Sequence, residues 1–550
     1  MSNRNIVIPV KYNTFGYDAY CGLIRPYLDV FGMPYDEVEL SSLPERLNKG
    51  AALVLIAQPG LILSDDAART IMDALENGIG LVCTDTAALC NAVFSPICSS
   101  VDMPSPVSGG SVTITAEHYA TRYHSVGEKI ALYSCETFYK NANLKNSTVL
   151  ANIGKTPLLE IAEYNGAKIA LWNTVSWIKP EILGPLHGMD DIFRDTIVWA
   201  AKKPFAMKGM PPFVGMRVDD VWGAWRDKSP DNPLLWIEIS NKYGFKPWLG
   251  VFQDNTNEKT VSLIKKYVDD GIATAFPHAF AGCEWVASDI PEHWAYFDHR
   301  SSRPWSDEVM AENAGRIKSW YDKNGIAISK VALPHYYETG ENALQYFIEW
   351  GCEYIGIHMP PDASYFSGAK LRCGPYRKYS QFPSGAKLPV YFADYLEFPH
   401  NPKLDGKLFN CVTEIRDVRG YELAPTNDVE NTIESGVTQL RRAILSSVPA
   451  VLFTHESCWI QRITIENWEK EMAAIAEGIS DLNPIYDTMD NICRYVRASH
   501  NIKIENAELD ANGELSLSFI GKNDIETKCA IFSEKNGEIT EKWNTVPKQL

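Results

Sequence analysis

The sequence lacks the marks of several common protein classes. Lys and Arg number 52 against 69 Asp and Glu, giving a formal charge of -17 with no clustered basic run. A nucleic-acid partner is therefore not expected, because phosphate contacts need clustered cations. No stretch approaches the roughly 18 consecutive apolar residues of a membrane span. The opening MSNRNIVIPVKYNTFGY lacks the basic and apolar segments of a secretory signal, so we expect a cytoplasmic protein with no membrane partner.

Cysteine pairs and glycine-rich phosphate loops are also missing. The twelve cysteines are scattered from Cys21 to Cys529 without a CxxC pair. This spacing argues against both a disulfide framework and a thiolate zinc site. No GxGxxG or Walker-type loop follows a predicted strand, so a nucleotide site has no support from sequence.

The chain has the composition of a globular protein, with 45% hydrophobic residues. Its 550 residues predict two or three domains. Over residues 1–203, short apolar runs such as NIVIPV, ALVLIAQ and GLVCTD alternate with helical patterns, which predicts an α/β fold with a parallel sheet. This part resembles the flavodoxin-like layer of class I glutamine amidotransferases. Cys83 lacks the glycines that a nucleophile elbow requires, so a structural or substrate-gating role is expected here.

The Pro- and Gly-rich stretch KKPFAMKGMPPF predicts a domain boundary. Residues 211–498 then show six or seven strand–helix units, which favours a (β/α) barrel, incomplete or distorted. From residue 499 the pattern changes to short alternating segments with turn signals, and a small β-rich domain is expected over 499–550.

Polar residues cluster where the predicted strands of the second domain end. These are Asp219, Asp220, His278, His335, His358, His455 and Glu456. In a barrel of this kind, function lies at the carboxyl ends of the strands. Taken singly, an acidic pair is equally typical of a helix cap, and a strand-end histidine is more typical of a hydrogen-bonded core or loop residue. Together they supply ligands, a base and an acid for metal-assisted hydrolysis.

Two of these segments resemble motifs of the polysaccharide deacetylases, the NodB-homology family. RVDDV is similar to the family's acidic pair, which implies Asp219 as general base and Asp220 as metal ligand. FTHE is similar to its last motif, which implies His455 as general acid with Glu456 orienting the imidazole. The family usually has Asp at the position of Glu456.

The middle motifs depart from the family pattern. DHRSSRPW carries His299 at the first position of the two-histidine motif, but Arg303 stands at the second. We expect His278 to replace the missing histidine, which gives the ligand set Asp220, His278 and His299, with His293 as a competing candidate. LPHYYE resembles the Pro-Tyr turn that contributes to the oxyanion pocket, which implies a catalytic part for Tyr336.

The resemblance implies one divalent metal ion per chain, zinc being the first expectation, and an N-acetylated carbohydrate as substrate. Candidate substrate-binding residues are Trp222, Trp285, Arg303, His335 and Trp459. The tryptophans can stack on sugar faces or pack a domain seam. Two alternatives stay open: a metal-independent glycoside hydrolase, and a non-catalytic carbohydrate-binding protein. The glycosidase would use carboxylates from among Asp219, Glu338, Glu397 and Glu456. Homo-oligomerisation is also left open.

Overall fold

A computed structural model gives the fold of the protein. The residues it describes are 2–101, 104–178, 188–281, 294–298, 301, 303–335, 338–356, 363–364, 370–371, 393–396, 398, 401–411, 417–418, 428–457 and 459–549. The chain divides into two compact units. Unit 1 comprises residues 1–210 and 498–550, and unit 2 comprises residues 211–497.

Unit 1 is built on a nine-stranded mixed sheet. The strands of unit 1 up to the boundary are β1 (Ser2–Asn3), β2 (Ile6–Val10), β3 (Tyr35–Glu39), β4 (Leu53–Ile56), β5 (Gly80–Cys83), β6 (Cys98–Ser100), β7 (Pro106–Ile114), β8 (Lys129–Tyr139), β9 (Ala142–Leu144), β10 (Thr148–Ile153), β11 (Thr156–Tyr164), β12 (Ala167–Trp172) and β13 (Phe205–Gly209). The order in the large sheet is β3-β2-β4-β5-β12-β11-β10-β7-β8. The pairs from β3 to β12 are parallel, and those from β12 to β8 are antiparallel.

The parallel strands form because their apolar runs are buried on both faces of the sheet. Every residue of β2, β4 and β5 is buried, as expected for strands covered by helices on both sides. The helices of unit 1 are α1 (Phe15–Leu23), α2 (Arg25–Phe31), α3 (Leu43–Asn48), α4 (Asp65–Glu76) and α5 (Asp190–Ala200). Cys83 lies in this core, fully buried, and its thiol donates to the Asp85 carbonyl at 3.1 Å.

The C-terminal strands are paired within unit 1. They are β25 (Ile502–Leu509), β26 (Leu515–Gly521), β27 (Thr527–Lys535) and β28 (Glu538–Val546). β25 pairs with β1, and β27 pairs with β13. The sequence pattern predicts a separate domain over residues 499–550, whereas backbone hydrogen bonds pair these strands with β1 and β13.

The described residues of unit 2 form two larger sheets and one antiparallel two-stranded sheet. Its strands are β14 (Phe213–Val221), β15 (Pro247–Phe252), β16 (Thr274–Ala279), β17 (Val331–Ala332), β18 (Tyr354–Ile355), β19 (Ala363–Ser364), β20 (Lys370–Leu371), β21 (Asp394–Tyr395), β22 (Phe409–Asn410), β23 (Ala450–His455) and β24 (Ile485–Tyr486). The first sheet has the order β16-β15-β14-β23 with all pairs parallel, and β24 pairs beside the start of β14. The second has the order β17-β18-β22-β21.

Helices separate most of these strands, in line with the strand–helix alternation predicted for residues 211–498. They are α6 (Leu235–Lys242), α7 (Glu258–Asp269), α8 (Asp307–Asn324), α9 (Glu341–Glu349), α10 (Val429–Leu445), α11 (Ile465–Glu477) and α12 (Met489–Asn501). Ser306 caps the start of α8, and Gly325 ends it in the left-handed conformation at φ 62°. The predicted α/β class is confirmed, and the barrel stays a prediction. No helix in the described part of the chain has the length and apolarity needed to cross a bilayer.

Candidate metal centre

A bulge at the end of β14 directs the side chains of two consecutive acidic residues, Asp219 and Asp220, toward the same site. Successive strand residues normally point to opposite faces. Here the pairing of β14 with β15 shifts between Val218 and Val221, and Asp220 adopts a left-handed backbone at φ 60°. Bulges re-aim side chains next to functional sites. Asp219 and Asp220 consequently both approach the same imidazole, that of His278 at the end of β16.

Three side chains from three strand ends converge on one point. The Asp220 Oδ1 atom lies 3.6 Å from His278 Nε2 and 3.7 Å from His335 Nε2. Ligand atoms of the three residues all lie within 4.8 Å of one another. Tetrahedral zinc with bonds of about 2.0–2.1 Å places its ligand atoms roughly 3.4 Å apart. The two measured separations therefore fit a divalent cation bound between these three residues.

The protonation of His278 supports this fit. Its Nδ1 atom lies 2.6 Å from the Leu333 carbonyl oxygen, which can only accept, so Nδ1 carries the proton. Burial lowers the pKa of His278 to about 4, so the ring is neutral and Nε2 carries a lone pair. That Nε2 atom and Asp220 Oδ1 are both buried without a hydrogen-bond partner among the described residues. Two unpartnered electron-pair donors that face each other in a buried site form an arrangement that a bound cation would stabilise.

Aromatic rings pack against the imidazole of His335 and restrict its orientation. The Trp294 ring stacks on His335 with an interplanar angle of 15° and ring centres 5.4 Å apart. Phe252 meets the same imidazole edge-on at 5.2 Å, and His278 lies 5.1 Å away. His335 lies three residues after the end of β17, and the stacked Trp294 ring restricts the orientation of its imidazole. The sequence predicts a substrate-binding role for His335, and the structure places its Nε2 atom 3.7 Å from Asp220 Oδ1.

A histidine–carboxylate pair stands beside the cluster on the neighbouring strand. His455 ends β23, opposite Asp219 in the register of β14 and β23. Its Nδ1 atom lies 2.5 Å from Asp417 Oδ2, and Asp417 is fully buried. Burial disfavours the charged imidazole, but the Asp417 carboxylate outweighs it and raises the pKa of His455 to about 9. Near neutral pH the raised pKa keeps the His455 imidazole protonated.

The pKa values of the two acidic residues of the bulge are shifted in opposite directions. Burial raises the pKa of Asp220 to about 7. Burial also acts to raise the pKa of Asp219, but the Arg217 guanidinium outweighs it, with help from His278, and lowers that pKa to about 2. Arg217 donates through Nε to Asp219 Oδ1 at 2.8 Å and through a second nitrogen to Oδ2 at 2.5 Å. Asp219 is therefore a fixed anion beside the cluster.

Glu456 does not orient His455. Its carboxylate accepts from the backbone N–H groups of Trp222 and Gly223 at 2.6 and 2.8 Å, and from the Trp236 indole at 2.8 Å. It is fully buried and holds the turn that follows β14. The orienting role that the sequence assigns to Glu456 is taken in the structure by Asp417.

Of the remaining predicted residues, some are described by the structure and others lie outside the described residues. Trp222 packs under the Arg226 guanidinium, 4.7 Å from its ring centre, and Trp459 is 7% exposed. Arg303 is exposed, and its side chain donates to Ser301 Oγ at 3.0 Å. Six residues named in the predictions lie outside the described residues: Trp285, His293, His299, Tyr336, His358 and Glu397.

Two residues of the site were not found from sequence. Arg217 precedes the acidic pair by two positions, so strand alternation places it on the face of Asp219, and that signal was available. Asp417 lies in the segment EIRDVRG, which carries no strand or helix periodicity, so nothing local marks it.

Comparison with known proteins assigns no family to the chain. No protein-family model matches it, and no curated protein matches it. Among solved structures, it is similar to the cytoplasmic protein STM3548 of Salmonella typhimurium, with 15% identity, 36% of this chain and 100% of that chain covered, and a TM-score of 0.27. It is also similar to the cytoplasmic protein STM1381 of Salmonella typhimurium LT2, with 16% identity, 36% and 100% covered, and a TM-score of 0.28. A beta-galactosidase of Bacillus circulans sp. alkalophilus has 11% identity, 38% and 33% covered, and a TM-score of 0.25.

Proposed function

We propose that the protein is a divalent-metal-dependent hydrolase that removes an acyl group from a carbohydrate. The observation that carries the proposal is the convergence of Asp220 Oδ1 and His278 Nε2, both without hydrogen-bond partners among the described residues, with His335 Nε2. The carbohydrate and the N-acetyl group come from the resemblance of RVDDV and FTHE to deacetylase motifs.

In this proposal, three residues bind the metal ion and the neighbouring residues Asp219 and His455 transfer protons. A divalent cation held by Asp220, His278 and His335 would supply Lewis-acid chemistry, which acidifies water and polarises a carbonyl. Asp219 remains ionised beside the cluster and accepts the proton of the attacking water. His455 donates its proton to the departing amine or alcohol, and Asp417 stabilises the imidazolium before that transfer.

The glycosidase alternative loses Glu456, whose carboxylate accepts from three N–H donors. A retaining or inverting glycosidase needs two carboxyl groups that face the sugar. The described geometry therefore favours the metal-dependent proposal.

The test is acetate release by the full-length chain after chelation and reloading with Zn²⁺ or Co²⁺. The probes are N-acetylchito-oligosaccharides and p-nitrophenyl acetate. We expect release by the loaded wild type and its loss after chelation and in His455→Ala. A protein that binds one metal ion but releases no acetate from either probe class would contradict the deacylase function. A protein that cannot be loaded would contradict the metal centre itself.

A further inference from the structure

Two neighbouring carboxylates lie equally close to the same ligand nitrogen. His278 Nε2 is 3.5 Å from Asp219 Oδ2 and 3.6 Å from Asp220 Oδ1. The Asp219 side chain is buried and that of Asp220 is mostly buried, with 5% and 13% exposure. By distance and burial alone, either Asp219 or Asp220 could complete a metal site with His278. Something else must decide which carboxylate binds the cation.

The two carboxylates differ in their hydrogen bonds. Both oxygens of Asp219 accept from the Arg217 guanidinium, whereas Asp220 Oδ1 has no partner among the described residues. An arginine keeps its charge under all ordinary conditions, and a two-point pair with a carboxylate is among the stronger hydrogen-bonded arrangements. Each Asp219 oxygen keeps a further lone pair, but a metal ion bound there would lie against the guanidinium charge, which opposes it.

The Arg217 guanidinium is itself held in place. Arg217 lies in the middle of β14, where its register partners are Trp248 of β15 and Phe453 of β23. Its side chain is 1% exposed, and the guanidinium carbon lies 4.2 Å from the centre of the Phe453 ring. A buried guanidinium over an aromatic face, on a central strand, has little freedom to release Asp219.

We infer that Arg217 is a positioning residue that excludes Asp219 from the ligand set, so that Asp220 is the carboxylate that binds the metal. This inference rests on the proposed metal centre. It gives Arg217 a role through Asp219 and not through contact with substrate. Without Arg217, Asp219 would be a buried anion that lacks a cation, and the metal is the nearest replacement.

The test is rescue of metal binding in a double variant of the full-length chain. Asp220→Asn should lower Zn²⁺ affinity, measured by competition with a chromophoric chelator, by about 100-fold or more, since a lost supporting group alone costs about 10–100-fold. Arg217→Met with Asp220→Asn should recover at least about tenfold of that loss, because Asp219 is then free to bind. Adding Asp219→Asn to this pair should abolish the recovery. Circular dichroism and thermal melting establish that each variant folds.

Other outcomes have distinct meanings. A folded Arg217→Met, Asp220→Asn protein with no more metal affinity than Asp220→Asn alone would overturn the inference, while metal bound by the wild type would leave the proposed function standing. A wild type without metal affinity would overturn both. If the Met variant does not fold, Arg217→Lys replaces it, since a single ammonium frees one Asp219 oxygen and should give a smaller recovery. No recovery in a folded Lys variant would again overturn the inference.

Discussion

The Nδ1 atom of His278 and the carbonyl oxygen of Leu333 lie 2.6 Å apart, and this hydrogen bond determines what the opposite side of the ring can do. With its proton on Nδ1, the imidazole presents the lone pair of Nε2 to Asp220. A metal-ligating histidine commonly donates its other ring N–H to a carbonyl or carboxylate. The position of one backbone carbonyl thus prepares His278 to bind a cation.

Asp220→Asn should lower metal affinity by about 100-fold or more without unfolding the metal-free protein. Asn tolerates the left-handed backbone at this position, and the change removes a buried charge beside Asp219. We expect the free energy of unfolding in chelator to stay within about 1 kcal/mol of the wild type. The matched control, Asp220→Ala, should cost roughly 1–2 kcal/mol more, because Ala disfavours this backbone conformation. Urea unfolding and metal content check both variants. Wild-type metal content in Asp220→Asn would contradict the ligand assignment.

Asp417→Asn should reduce catalysis while leaving the metal in place. The change removes the anion that stabilises protonated His455, so the imidazole becomes a poorer proton donor. We expect acetate release to fall by about 10²–10⁴-fold, the usual contribution of a positioned acid or base. Metal content measured on the same samples should remain at one equivalent. Loss of metal together with activity would show that Asp417 supports the ligands and not His455.

Glu456→Gln should act on stability more than on chemistry. The carboxylate accepts from three N–H groups, and an amide NH₂ would face at least one of those donors without a partner. We expect a loss of about 1–3 kcal/mol in the free energy of unfolding. Activity per folded molecule should remain far above that of His455→Gln. A stable Glu456→Gln protein with no activity would instead restore the catalytic role that its sequence position suggests.

How far the sequence predicts this site depends on which interactions are local. The strand ends that carry Asp219, His278 and His455 follow from continuous apolar runs, and the helices after them follow from periodicity. The β14 bulge depends on pairing with another strand. Asp417 depends on a segment 38 residues before His455 that has no periodic pattern. The side-chain direction of Glu456 is decided by the turn it holds. These three features are tertiary, and no local pattern in the chain encodes them.

The helices show the same distinction. The sequence predicts a helix from Val429 to Leu445, and α10 has those bounds. The prediction succeeds because Asp428 caps the first turn and the apolar positions repeat at helical spacing. The C-terminal strands are predicted as strands, but their pairing with β1 and β13 is not visible in their own residues. Local preference thus identifies the elements, whereas their partners depend on the rest of the chain.

Unit 1 offers a pH test that is independent of the metal centre. His124 lies 2.9 Å from Asp191 and 3.0 Å from Glu128. Burial acts against the charged ring, but these carboxylates outweigh it and raise the pKa of His124 to about 9. A raised pKa in the folded state stabilises the protein fully below the unfolded value of about 6.5. That contribution is lost as the pH rises through about 9.

The stability difference between wild type and His124→Gln should therefore shrink between pH 6 and pH 10. The change should be on the order of 2 kcal/mol. Urea unfolding at several pH values measures it. A difference that stays constant across this range would show that the imidazolium does not contribute to stability.

The central claim is tested most directly by the metal content of the wild type beside four histidine-to-alanine variants. His278→Ala and His335→Ala remove proposed ligands, His299→Ala removes the ligand expected from the family motif, and His500→Ala is the control. We predict about one equivalent of divalent metal in wild type, His299→Ala and His500→Ala, and its loss in His278→Ala and His335→Ala. Metal retained in His335→Ala but lost in His299→Ala would contradict the Asp220–His278–His335 centre, and a wild type that binds no metal would contradict the account as a whole.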